Sequence, residues 1–127
     1  MSECWVSRLL YFLIVVTALF VGCSAGTPEV PLGPDGEPDR ELTVGRDLWS
    51  QSCASCHGKD GGGSSGPKLS GGRVGEKFPD PAEQKQLILE GRAGMPAFAG
   101  ELSDSEIEAV VRYTREVLGC AAIPTDF

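Results

Sequence analysis

The longest apolar run in the chain is Leu9 to Val21, LLYFLIVVTALFV, broken only by Thr17 and preceded by Arg8. It is shorter than the ~20 residues that cross a bilayer as a helix, and it matches the apolar core of an export signal. From Ser24 to about Glu41 the pattern disappears. Four prolines and several acidic side chains leave too little apolar surface to fold there, which predicts an extended tether. Helical spacing starts beyond it. Thr43 is placed to cap a helix running to about Ser52, with Leu48 and Trp49 on its apolar side. Asp60 to Gly66, DGGGSSG, reads as loop. Asp80-Pro81-Ala82-Glu83 offers a cap, a proline at the first helical position and an acid at the third. That helix is expected to reach about Glu90, where Gly91 can end it. Ser103-Asp104-Ser105-Glu106 is a capping box. Ile107, Val110, Val111, Thr114, Val117 and Leu118 follow at i, i+3, i+4, i+7 spacing until Gly119. No segment alternates as a strand does, so the expected fold class is all-α.

These boundaries predict an export segment over 1–22, a tether over 23–41, a folded unit over 42–120 and a short tail over 121–127. A unit of roughly 80 residues is marginal without a covalent or metallic staple. With 17 Gly and 9 Pro in 127 residues the chain is loop-rich, and at 7% aromatic its core cannot rest on large rings alone. The balance of 11 Lys and Arg against 18 Asp and Glu, a net charge of −7, argues against a nucleic-acid binder, whose phosphate contacts need clustered cations. Five cysteines, an odd number, do not fit a purely disulfide-stapled scaffold.

Cys53-Ala54-Ser55-Cys56-His57 gives two of them a purpose. This is C-x-x-C-H, the attachment signal for haem c. Two thioethers one helical turn apart can reach the vinyl-derived carbons on one edge of the porphyrin, and the adjacent His can place a nitrogen on iron. Chance accounts for only about 0.002 such matches at this composition. A zinc site would need a second ligand pair, and only Cys120 lies downstream, with no other His. A redox C-x-x-C would need a βαβ context, which is missing.

His57 is the one histidine in the chain, so it can fill only one axial position. Of two methionines, Met1 leaves with a cleaved signal, and Met95 is the remaining thioether. Gly91, Gly94 and Pro96 make its surroundings a loop, with Gly94 allowing close backbone approach and Pro96 restricting Met95 to extended conformations. The alternatives are Met95 as an apolar gap-filler, with a Lys ligand or five-coordinate iron.

Val21-Gly22-Cys23-Ser24 resembles a bacterial lipobox, with Cys23 as the lipid site, although Phe20 stands where Leu is preferred. Cleavage after Ala25 to release a soluble protein and an uncleaved anchor helix are the competing outcomes. All three place the domain outside the cytoplasm. Cys120 is left open between a buried thiol, a dimer bridge and a disulfide with Cys23.

From Val44 to Leu118 the chain resembles the class I, monohaem cytochromes c. The likeness rests on Gly45-Arg46-Asp47-Leu48-Trp49 before CASCH, on Gly66-Pro67-Lys68-Leu69, and on the Met loop and last helix from Gly94. The last of these is similar to the c6 and c551–c553 types. The resemblance implies short helices wrapped around one covalent haem, with the Pro67 carbonyl accepting a hydrogen bond from His57. It also implies that the first and last helices cross near Gly45, with Trp49 and Tyr113 packed around the contact.

The function expected is one-electron transfer by a His57/Met95 haem c between membrane redox complexes of a respiratory or photosynthetic chain. It calls for no nucleic acid and no small-molecule substrate. Leu69, Phe78, Phe98 and Ile107 are expected to supply apolar wrapping. The other reading makes the chain a haem-bearing subunit of a larger oxidase, reductase or dehydrogenase; gas sensing through a labile Met95 is a third. Glu101, Asp104, Glu106, Glu108 and Glu116 either steer a basic partner or form a solvated helix face.

Overall fold

A computed structural model describes residues 26–120. Among the described residues there are five α-helices: α1 (Arg40–Leu48), α2 (Ala54–His57), α3 (Arg73–Lys77), α4 (Pro81–Glu90) and α5 (Asp104–Arg112). π-helical turns, Trp49–Cys53 and Tyr113–Val117, extend α1 and α5. Among the described residues there are isolated bridges but no strand, and the fold is all-α. No described helix is long and apolar enough to cross a membrane.

The first helix begins earlier than expected. Its cap is Asp39, whose carboxylate accepts from Leu42 N–H at 3.0 Å, whereas Thr43 lies within the helix and donates its hydroxyl to the Asp39 carbonyl at 2.8 Å. Aspartate is the better cap, and this one is also tied across the molecule: Arg112 reaches Asp39 at 3.2 Å and Glu41 at 2.6 Å. The Leu42 N–H and then Arg112 hold the Asp39 carboxyl below the ordinary carboxylate range. Nor does the helix stop near Ser52. It passes through the π-helical turn and α2 to His57, where Gly58 at φ 83° breaks it.

The two other helix starts follow the sequence pattern. Asp80 accepts from Ala82 N–H at 2.9 Å ahead of Pro81. At Ser103 the capping box is reciprocal, with Ser103 N–H donating to Glu106 at 2.8 Å. The short helix α3 was not foreseen by the apolar spacing.

The core has two parts. Leu42, Trp49, Tyr113, Val117 and Leu118 form one; Ile88, Phe98, Ile107, Val110 and Val111 form the other. Cys53 is half-buried against both. The helices α1 and α5 meet at Gly45, where an added Cβ would overlap the Ala109 carbonyl, 2.7 Å from its carbon, and lie 2.9 Å from Tyr113 Cβ. Only glycine permits that approach.

Candidate functional site

The residues of the CASCH motif sit where α1 gives way to loop. Cys53 closes the π-helical turn, Cys56 and His57 end α2, and Gly58 turns the chain away. Both cysteines are free thiols, Cys56 exposed and Cys53 half-buried. As a thiol, before any thioether forms, Cys53 is pushed up to about 11 by burial and secondarily by the neighbouring Cys56. His57 is buried, and its Nδ1 lies 2.9 Å from the Pro67 carbonyl.

That contact depends on the loop from Gly58 to Ser70, which is folded largely on its own backbone. Gly63 N–H donates to the His57 carbonyl at 2.7 Å, Gly66 N–H to the Cys56 carbonyl at 2.7 Å, and Leu69 N–H to the Gly61 carbonyl at 2.8 Å. Gly66 lies directly against the imidazole: a Cβ there would come within 3.0 Å of both His57 Nδ1 and Cε1. Trp49 packs nearby. Its ring centroid is 6.0 Å from that of His57 and 6.3 Å from that of Tyr113, and its indole N–H donates to the Lys59 carbonyl at 3.0 Å.

Met95 comes from a separate turn, closed by mutual backbone hydrogen bonds with Arg92 at 3.1 and 2.5 Å. It is half-buried against the second core cluster. Gly91 does more than end α4. A Cβ on it would strike the Met95 carbonyl oxygen at 2.6 Å and Ala97 N at 2.7 Å, so the turn closes only over a glycine. The Phe98 and Ala99 N–H groups then donate to the Ile88 and Leu89 carbonyls, both at 3.1 Å, fastening the turn to α4.

Of the expected apolar wrapping, Phe98 and Ile107 are buried in the second cluster, Leu69 is half-buried on the first, and Phe78 belongs to neither. Cys23 lies outside the described residues; Cys120 is an exposed thiol. Most of the acidic side chains of the last helix are engaged within the chain. Lys85 holds Asp104 and Glu108, each at 2.7 Å, Arg112 holds Glu116 at 2.8 Å, and Glu106 completes its cap. These contacts favour a structural use of the acidic face over a steering one.

The residues fit a covalent haem. There are two free thiols one turn apart, a buried imidazole with Nδ1 committed to a carbonyl so that Nε2 is the donor for a metal, and a glycine cradle that any side chain would fill. The sequence places Gly91 in the loop around Met95, but nothing in it shows that Gly91 lies against the Met95 and Ala97 backbone.

Known proteins resemble this chain over the same region. The family model described as cytochrome c oxidase, cbb3-type, subunit III matches residues 40–113. Cytochrome c-551 of Bacillus subtilis (strain 168) is 39% identical over 102 residues, covering 80% of this chain and 87% of the relative. Cytochrome c6 of Leptolyngbya boryana is 32% identical over 75 residues, covering 58% of this chain and 88% of that one. Among solved structures, dihydro-heme d1 dehydrogenase in complex with DHE superimposes with a TM-score of 0.54 at 36% identity. The match covers 58% of this chain and only 16% of the dehydrogenase chain, so the likeness is to one part of a much longer protein.

Proposed function

The chain belongs to the class I cytochrome c family, a haem c electron carrier, and on that premise we propose a residue-level and cellular reading. Cys53 and Cys56 would hold the haem through thioethers, His57 and Met95 would ligate its iron, and the domain works outside the cytoplasm, held to a membrane by its N-terminus at Cys23. Bound haem c supplies a one-electron couple at iron.

The observation that carries this reading is the His57–Pro67 contact at 2.9 Å. A carbonyl on Nδ1 fixes the tautomer and ring plane, leaves Nε2 as the nitrogen free to bind a metal and makes it more basic. Met95 adds a neutral thioether, which favours the ferrous state. Phe98 and Ile107 exclude water from the second half of the core. With two side chains assigned to the axial positions, no place is reserved for a substrate, so the chain acts as a carrier and not as an enzyme. Its partners are redox proteins of a respiratory or photosynthetic chain.

The ligand assignment is tested by Met95→Ala. The expected result is loss of the weak near-infrared methionine–iron charge-transfer band and a lowered potential; an unchanged band refutes it. The matched family model is described for an oxidase subunit, which keeps a second reading in view: a haem-bearing part of a larger complex. Stable co-purification with integral membrane subunits through gentle detergent extraction would select it, and recovery as a single chain would select the carrier.

A further inference from the structure

The segment expected to be a free tether is fastened to the domain. Arg46, on α1, donates from Nε to the Pro28 carbonyl at 3.1 Å and from Nη2 to the Thr27 carbonyl at 3.4 Å, and pairs with Glu29. The Tyr113 hydroxyl, from the other side of the helix crossing, donates to the same Pro28 carbonyl at 2.8 Å. Val30 packs on the cluster of Leu42, Trp49 and Tyr113. Beyond it the chain makes a tight turn, with Gly33 N–H donating to the Glu37 carbonyl at 2.8 Å and a bridge between Leu32 and Pro38, and enters α1 at Asp39.

We propose that residues 27–38 are a docked strap, so that an N-terminus anchored at Cys23 holds the domain close against the membrane surface. The consequence rests on the anchored reading above. If residues 23–41 were free, the anchor point and the domain would be joined by 19 residue steps, about 65 Å at full stretch. With Thr27 pinned, only four steps separate Cys23 from the domain, about 14 Å at most. A leash that short holds the domain against the bilayer in a narrow range of orientations. Val30 fastens to the first core cluster, whereas Met95 packs on the second, so the leash leaves the Met95 turn on the half of the core it does not grip.

The test uses the full-length, haem-loaded protein on phosphatidylglycerol/phosphatidylcholine vesicles, cut with a glutamate-specific protease and followed by mass at the Glu29–Val30 bond. A docked strap makes that cut at least about tenfold slower in the wild type than in an Arg46→Ala, Val30→Ser variant whose haem spectrum is unchanged, because cleavage tracks the opened population. Equal, fast cutting of both overturns the strap. Domain height above the bilayer, by neutron reflectometry, is then compared with a form carrying twelve Gly/Ser residues inserted between Gly26 and Thr27. The wild-type domain is expected to lie directly on the lipid and the insertion to lift or spread it. Identical profiles overturn the short leash. Protein that washes off the vesicles refutes the anchored reading and the short leash with it, while the cutting ratio still decides the strap.

Discussion

At the crossing of α1 and α5, side chains do the holding. Trp49, Ile107, Tyr113 and Leu118 are fully or almost fully buried, and the absent Cβ of Gly45 lets the two backbones meet. A few residues away, from Gly58 to Ser70, the holding is done by main-chain hydrogen bonds across a run of glycines, with Gly61 and Ser70 the buried residues of the loop. The first region is a close-packed contact, sensitive to volume. The second is a backbone template whose product is one oriented imidazole. Substitutions in the crossing should therefore register as lost stability, and substitutions in the loop as altered redox behaviour in a protein that still folds.

The largest effect is expected from Trp49→Ala, which empties a fully buried site, removes the indole donor to Lys59 and costs about 3–5 kcal/mol in urea unfolding. A cost near that of a surface change would break the comparison. Gly45→Ala is next. In an open helix the change gains up to about 1 kcal/mol, but here the new methyl meets the Ala109 carbonyl, and a net loss of about 1–3 kcal/mol is expected from overpacking. The sign of the change is the sharper observation.

The crossing also sets a pH dependence. Burial pushes the Tyr113 hydroxyl up to about 12, above its ordinary value of 10.0. The folded state then binds the proton more tightly than the unfolded state. Its contribution is complete below about pH 10 and is lost as the pH climbs toward 12. Tyr113→Phe should flatten that part of the stability profile.

Smallest in stability is Gly66→Ala, in the loop. A change of under about 1 kcal/mol is expected in unfolding. A methyl 3.0 Å from His57 Nδ1 and Cε1 should nonetheless loosen the contact with Pro67, make the imidazole a weaker donor and raise the midpoint potential. A large loss of stability with no shift in potential would reverse the two regions' roles.

The same contrast explains what was legible in the sequence. Helix starts at Asp80 and Ser103 can be read because capping is local: the cap and the N–H it serves lie within three residues. The start at Asp39 was missed because Thr43 is also a cap-forming residue, and what favours Asp39 includes Arg112, 73 residues away. The apolar spacing gives no sign of α3, which carries a single buried residue, Val74. The strap is hidden for a similar reason. Proline and acid content predicts a segment that cannot fold alone, which is compatible with one that folds onto Arg46 and Tyr113. At the candidate site the residues themselves are legible, because CASCH and a methionine in a glycine loop are local patterns. The Pro67 contact came from family resemblance. The closeness of Gly66 to His57 and of Gly91 to the Met95 turn is visible only in the fold, since each pairs a glycine with backbone or a ring folded back from elsewhere.

The central claim is that this chain is a peptide shell built on one haem held through Cys53 and Cys56. The most direct test is mass spectrometry of the intact membrane-extracted protein followed by its tryptic peptides. The expected result is one haem added to the intact mass and carried covalently by the peptide Asp47–Lys59. Recovery of that peptide with two unmodified thiols, from protein that retains its native fold, would contradict it.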